Sequence, residues 1–289
     1  MIYIVLPVHN RKNITEKFIK CLVNQTYQDF KLILVDDGST DGTDKMVLRY
    51  LPNSEIIYGD GNLWWAGGLQ KGYDWLKCQK IDNNDIVLII NDDTEFGNDF
   101  LLVALELLDG KKRILLKAWS IDKYSKKKGD GYIKADVDKI IFDQVDKQQE
   151  ANCASTRGLF LRVGDWFEIG GFYPEKLPHY MSDYEFTIRA CRKGYTILCD
   201  DKLFLYSDSM ETGYHQIEYK SFSEFKSKYF SPRNAMHPIY WISFIHMISI
   251  HNKYKAYNIL RIIYSMCKKV IKAFFIGLRH DYKNFRKHQ

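Results

Sequence analysis

Short, wholly apolar runs alternate with stretches of helical periodicity over the first 110 or so residues. Residues 2–6 are apolar and closed by Pro7, which reads as a buried strand. Asn13-Ile14-Thr15-Glu16 then opens a helix whose Ile14, Phe18, Cys21 and Leu22 fall at helical spacing. Residues 31–35, 55–58 and 86–90 read as further strands, and helices are expected over 67–79 and 99–108. Apolar strands without polar alternation are covered on both faces. The pattern therefore predicts an α/β sandwich with a mostly parallel sheet. Ligands of such sheets bind beyond the carboxyl ends of the strands, where Pro7, Asp36-Asp37 and Asp92-Asp93 fall.

Farther along, residues 111–150 are more polar, and 126–131 read as an exposed hairpin turn. Residues 152–161 hold Ser155-Thr156-Arg157-Gly158 and lead into an apolar strand that approaches the site. A short helix from Trp166 stops at Gly170-Gly171, and Trp64-Trp65 are placed in a glycine-flanked loop. A loop over 178–182 ends in Ser182 as N-cap of a helix over 183–193, with Asp183 and Glu185 in its first turn, where the helix dipole favours negative charge. A strand follows over 195–199. Residues 255–279 read as a helix with an apolar stripe at Ile259, Ile263, Met266, Val270 and Phe274, and a basic one at Arg261, Lys268, Lys272 and Arg279.

Composition adds two points. With 46% hydrophobic and 27% charged residues among 289, the chain is an ordinary globular one. Its net charge of +6 is a property of one end: residues 251–289 carry ten Lys and Arg against Asp281, leaving 32 basic and 35 acidic residues in the other 250. The body is mildly acidic, so no nucleic acid is expected as a partner. The basic tail points to the anionic inner leaflet of a membrane, with a homo-oligomer contact as its other use. The six cysteines show no metal-ligand spacing and suit a reducing compartment, and the N-terminus lacks a basic leader, so a cytoplasmic protein is expected. The apolar stretch 235–250 falls short of the ~20 residues a spanning helix needs.

Two Asp-Asp pairs on one rim repel unless a cation joins them. No G-x-G-x-x-G follows the first strand, which excludes a dinucleotide-binding oxidoreductase. No glycine-rich basic loop is there either, against a sugar-nucleotide pyrophosphorylase; a non-catalytic sugar-binding scaffold would have lost some of these acids.

Taken in order, Pro7-Val8-His9-Asn10, Asp36-Asp37-Gly38-Ser39-Thr40, Asn91-Asp92-Asp93-Thr94 and Ser182-Asp183-Tyr184-Glu185-Phe186 resemble glycosyltransferase family 2 over about residues 1–215. The resemblance implies a GT-A fold, a mixed sheet flanked by helices. It implies a catalytic domain over 1–220, with a nucleotide-sugar half to about 110 and an acceptor half beyond; residues 221–289, where the resemblance gives out, read from their own pattern as a helical extension. It also implies inverting, metal-dependent transfer from a UDP- or dTDP-sugar to a glycan or lipid-linked glycan. Asp93 corresponds to the ligand of Mn²⁺ or Mg²⁺, with His215 a second candidate, and Asp92 to a partner of the ribose or the metal. Asp36 corresponds to the acceptor for a base N–H, with Pro7 and His9 lining the base pocket. Asp183 corresponds to the general base. Trp64 and Trp65 are candidates for a sugar-stacking floor, and Lys71 and Arg157 for diphosphate contacts. The run from Gly61 to Gly68, and Arg233-Asn234, resemble the rhamnosyltransferase-like members that build bacterial O-antigen and capsule.

Overall fold

The computed structural model describes residues 1–207, 218, 219 and 221–287, with side chains described to 276. The chain opens with β1 (Ile2–Val8), α1 (Lys12–Val23), β2 (Phe30–Asp36), α2 (Thr43–Tyr50), β3 (Glu55–Tyr58), α3 (Trp64–Cys78) and β4 (Ile86–Ile89). It continues through β5 (Thr94–Glu95), α4 (Phe100–Leu108), β6 (Ile114–Lys117), β7 (Trp119–Asp122), β8 (Lys128–Gly129), β9 (Ile133–Asp136) and β10 (Ile141–Gln144). Then come β11 (Leu159–Arg162), α5 (Val163–Ile169), α6 (Ser182–Arg192), β12 (Thr196–Leu198) and β13 (Phe204–Ser207), and last α7 (Phe222–Tyr229), α8 (Pro238–Ile248) and α9 (Asn252–Lys287).

Seven strands form the main sheet in the order β12-β6-β11-β4-β1-β2-β3. The β4-β1-β2-β3 part is parallel, and β11 runs antiparallel to both its neighbours, so the sheet is mixed. Both faces are covered, as the unbroken apolar strands predict. Ile2, Ile4, Leu6 and Val8 of β1 face α1 and α4 through Phe18, Leu22 and Ala104. Tyr3 and Val5 face the other side, with Leu69 and Tyr73 of α3, Trp166 and Phe186. Pairing of β1 with β4 ends at Val5, so Pro7 lies past that ladder and its missing N–H breaks no bond there. Glycines on one face of α3 let it press onto β1: a Cβ at Gly68 would lie 2.7 Å from the Pro7 side chain, and one at Gly72 2.4 Å from Val5. This close approach sets the start of α3 beside the carboxyl end of β1.

Several elements differ from expectation. The helix expected from 67 begins at Trp64, which stands at φ +56°, so the tryptophan pair opens a helix instead of lying in a loop. Its cap comes from a distant residue, Asp37, which no local pattern reveals. Ser182 is the first helical residue of α6, not its cap; Met181 at φ +67° precedes it, and the Ser182 hydroxyl donates to the His179 carbonyl at 2.6 Å. The polar stretch after 111 contains five strands, among them the β9–β10 hairpin and two members of a second sheet ordered β5-β13-β7-β8. Part of the turn expected at 126–131 is β8 itself.

At the C-terminal end, Phe244 and Ile248 of α8 pack with Ile188 of α6 and with the β9–β10 hairpin. Ala273, Met266 and Val270 of α9 pack on Phe225 and Tyr229 of α7. The expected stripe therefore divides: Met266 and Val270 turn inward, whereas Ile263 and Phe274 are 37% and 49% exposed. The outward face is a different one, Tyr257, Leu260, Tyr264, Ile271 and Phe275, each more than half exposed. Arg261, Lys268 and Lys272 are exposed beside it.

Candidate active site

A cavity of about 680 Å³ opens where the strand order reverses, at the carboxyl ends of β1 and β4. Its size is that of an ordinary small-ligand site. Pro7 and His9 line it from β1, Asp92 and Asp93 from β4, Trp64 and Trp65 from α3, and His179 and Tyr180 from the loop before α6. Arg11 and Arg233 also reach its wall. Of the seven non-glycine residues with positive φ among the described ones, three, Asn10, Trp64 and Met181, stand at or next to this wall. Such backbone costs about 1–3 kcal/mol per residue and persists only where its surroundings hold it.

Register sets the first acidic pair. Val8 pairs with Asp36, so β2 ends level with β1, and Asp36 and Asp37 emerge at the rim. Asp36 is 1% exposed and accepts the Ser39 N–H at 2.8 Å. Asp37 accepts three backbone N–H groups, from Gly61 (2.8 Å), Leu63 (2.9 Å) and Trp64 (3.2 Å). It thereby caps α3 and folds the 59–63 loop against β2. His9 meets the Asp37 carbonyl through Nδ1.

The second pair is held differently. Asp92 accepts from the Thr15 hydroxyl at 2.8 Å, and its other oxygen lies 3.4 Å from Arg11 Nε. Arg11 Nη2 stands 3.4 Å from Asp93 Oδ2. Oδ1 of Asp93 is buried with no hydrogen-bond partner among the described residues. Burial pushes the Asp92 carboxyl up to about 6, with Arg11 opposing. Two buried carboxylates, one with an orphaned oxygen beside a cavity, fit a hard divalent cation, which takes one or two carboxylates and completes its shell with ligand oxygens and water. No cluster of three or more His, Cys, Asp or Glu residues is arranged for a metal among the described residues. His215 lies outside them.

Asp183 stands one side chain behind the wall. Trp65 Nε1–H donates to its Oδ1 at 2.8 Å, and the Thr156 N–H to its Oδ2 at 3.4 Å. Burial raises its proton affinity, against these two donors. Glu185, the other acid of the helix's first turn, forms a buried two-pronged pair with Arg189 (2.8 and 3.0 Å) and is thereby occupied. Behind Thr156, Ser155 donates to Asp130 at 2.8 Å, and the fully buried Lys117 lies 3.8 Å from Asp130.

Of the residues singled out from sequence, Pro7, His9, Asp37, Trp64, Trp65, Asp92, Asp93 and Arg233 share this cavity. Asp36, Lys71, Arg157 and Asp183 do not line it. Lys71 is exposed on α3, and Arg157 approaches Ser207 at 3.5 Å while its Nε has no described partner. Sequence reasoning missed Arg11, His179, Tyr180 and Lys117. Arg11 was within reach, directly after the Pro7–Asn10 motif. His179 has a buried Nδ1 without a described partner, and burial, then Arg233, push its pKa down to about 4, so it is neutral at pH 7.

Residues 3–166, more than half of the chain, match the profile of Glycosyl transferase family 2. The chain belongs to that family. It is 29% identical over 140 residues to an uncharacterized glycosyltransferase of Rickettsia prowazekii, covering 45% of this chain and 44% of that one. It is 30% identical over 103 residues to a poly(ribitol-phosphate) beta-glucosyltransferase of Bacillus spizizenii, covering 35% and 16%. The chain thus spans less than half the length of these relatives. Similar solved folds include S. aureus TarS 1-349 in complex with UDP-GlcNAc (TM-score 0.52, 16% identity, 91% of this chain and 71% of that one). GalNAc-T7 with UDP, GalNAc and Mn²⁺ is another (TM-score 0.61, 11% identity, 84% and 48%). The fold is GT-A, a mixed sheet flanked by helices with a helical C-terminal region.

Proposed function

We propose that this chain transfers a sugar, with inversion, from a UDP- or dTDP-sugar to a glycan or lipid-linked glycan in bacterial surface polysaccharide synthesis. The observation that carries the reading is the orphaned Asp93 oxygen beside Arg11 in a cavity at the strand-order reversal. Asp93, with Asp92, would hold Mn²⁺ or Mg²⁺. When bound, the cation offsets negative charge growing on the leaving diphosphate. Pro7 and His9 border the base, and Arg11 and Arg233, the cations on the wall, face the phosphates in place of Lys71 and Arg157. Asp183 takes the proton of the attacking hydroxyl. Its raised proton affinity suits that task, and the Trp65 and Thr156 donors fix its plane. A single in-line displacement needs no second carboxylate as nucleophile, which is the inverting outcome.

The outward face of α9 supports a peripheral membrane position, because aromatic and aliphatic side chains alternate there with Arg261, Lys268 and Lys272. Among the described residues no helix is long and apolar enough to cross a membrane. Turnover of UDP- and dTDP-sugars with Mn²⁺ or Mg²⁺ tests the reading. Metal-dependent release of nucleoside diphosphate supports it; sugar binding without metal dependence or turnover supports a non-catalytic scaffold instead.

A further inference from the structure

A second cavity, of about 760 Å³, lies in the acceptor half and is used by none of the steps above. Trp119 is its aromatic wall. The ring is fixed edge-on by Tyr132, with centroids 5.6 Å apart, and Tyr132 is itself tied through its hydroxyl to both backbone groups of Cys199. Gly131 runs so close to the indole that a Cβ there would lie 2.0 Å from it. The side-chain amides of Gln144, Gln148 and Gln149 also line it, and none of them makes a hydrogen bond to the described protein. The charged groups are Lys128 and Lys147 against Asp146, Asp200 and Asp201, a lining of net −1.

A fixed indole beside unpaired amides is the chemistry that recognises pyranose rings. Ring C–H faces lie on the aromatic surface, and amides both donate to and accept from hydroxyls. The acidic balance works against a phosphodiester polymer. The cavity is also joined to the base: Asp130, between the lining residues Gly129 and Gly131, accepts from Ser155, whose neighbour Thr156 donates to Asp183. We propose that this cavity is a subsite for an uncharged or amino-sugar glycan, holding the acceptor chain beyond the sugar that reacts. The proposal rests on the transferase reading. In the free protein the Lys128 ammonium occupies the indole, 3.8 Å from the ring centre, and pairs with the exposed Asp201. Glycan and Lys128 therefore compete for one aromatic surface.

The test is a glycan array probed with the full chain, carrying neutral, amino-sugar and phosphate-bearing glycans, poly(ribitol phosphate) included. Neutral or amino-sugar glycans are expected to bind. Trp119→Ala should abolish binding, but Trp119 also packs internally, so the pair Gln144→Ala/Gln148→Ala, whose amides make no hydrogen bond to the described protein, is the cleaner variant and should weaken it about tenfold. Lys128→Ala should strengthen binding about threefold by freeing the indole. Binding of phosphate polymers alone, binding of no glycan, or wild-type binding by the glutamine variant would overturn the proposal. UDP binding with Mn²⁺, measured on the same preparations, separates the failures. If it is intact while glycan binding is absent, only the subsite falls; if it is absent in the wild type, the transferase reading falls first.

Discussion

The strands β2 and β4 lie on either side of β1, and an Asp-Asp pair follows the apolar core of each, yet the two pairs serve opposite ends. After β2, both carboxylates bond backbone N–H groups: Asp36 closes its own turn, and Asp37 gathers Gly61, Leu63 and Trp64. After β4, the partners are side chains, Thr15 and Arg11, and one buried Asp93 oxygen has none among the described residues. The lesson is one of accounting. An acid whose oxygens bond the local backbone builds the rim; an acid left with an unpaired oxygen in a cavity is available to a ligand.

This contrast can be broken experimentally. The largest effect is expected away from both pairs, at the proposed base. Asp183→Asn should lower turnover about 10²–10⁴-fold while nucleotide affinity stays at the wild-type level. Full turnover would return Asp183 to a structural role. Asp93→Ala should weaken metal-dependent UDP binding by at least the 10–100-fold that loss of an outer-shell partner costs a metal site, with the unfolding midpoint little changed. Asp37→Ala should do the reverse. It strands three N–H groups at the start of α3 and should cost about 3 kcal/mol in urea unfolding. If Asp37→Ala left stability untouched, the structural reading of the β2 pair would fail.

The smallest effect concerns His179. Its folded pKa of about 4 lies below the 6.5 of a free imidazole, so the unfolded chain takes up a proton first as pH falls. Stability should decline from about pH 6.5 toward 4, by about 2 kcal/mol once partial exposure is discounted. His179→Leu should flatten that part of the profile, measured by urea unfolding at several pH values.

Much of this was legible in the chain because it is local. Apolar runs gave the strands, and the turn after each placed Pro7, Asp92 and Asp93 on one rim. Trp65 as the partner of Asp183 was not legible, since the two are 118 residues apart and meet only through the packing of α3 beside α6. The start of α3 was misplaced for the same reason: its cap is Asp37, on another strand. The stretch after residue 111 was least legible, because two- to four-residue strands such as β8 and β10 leave almost no periodicity to read.

The central claim is that the β4 pair, and not the β2 pair, seats the cation and with it the nucleotide. Calorimetric titration of UDP and dTDP into wild type and Asp93→Ala, each with Mn²⁺ and with chelator, tests it most directly. The account predicts tight binding by the wild type with Mn²⁺, loss of that binding on chelation, and no difference between the two conditions in Asp93→Ala. Equal binding by the wild type with and without metal, or metal dependence kept intact in Asp93→Ala, would contradict it.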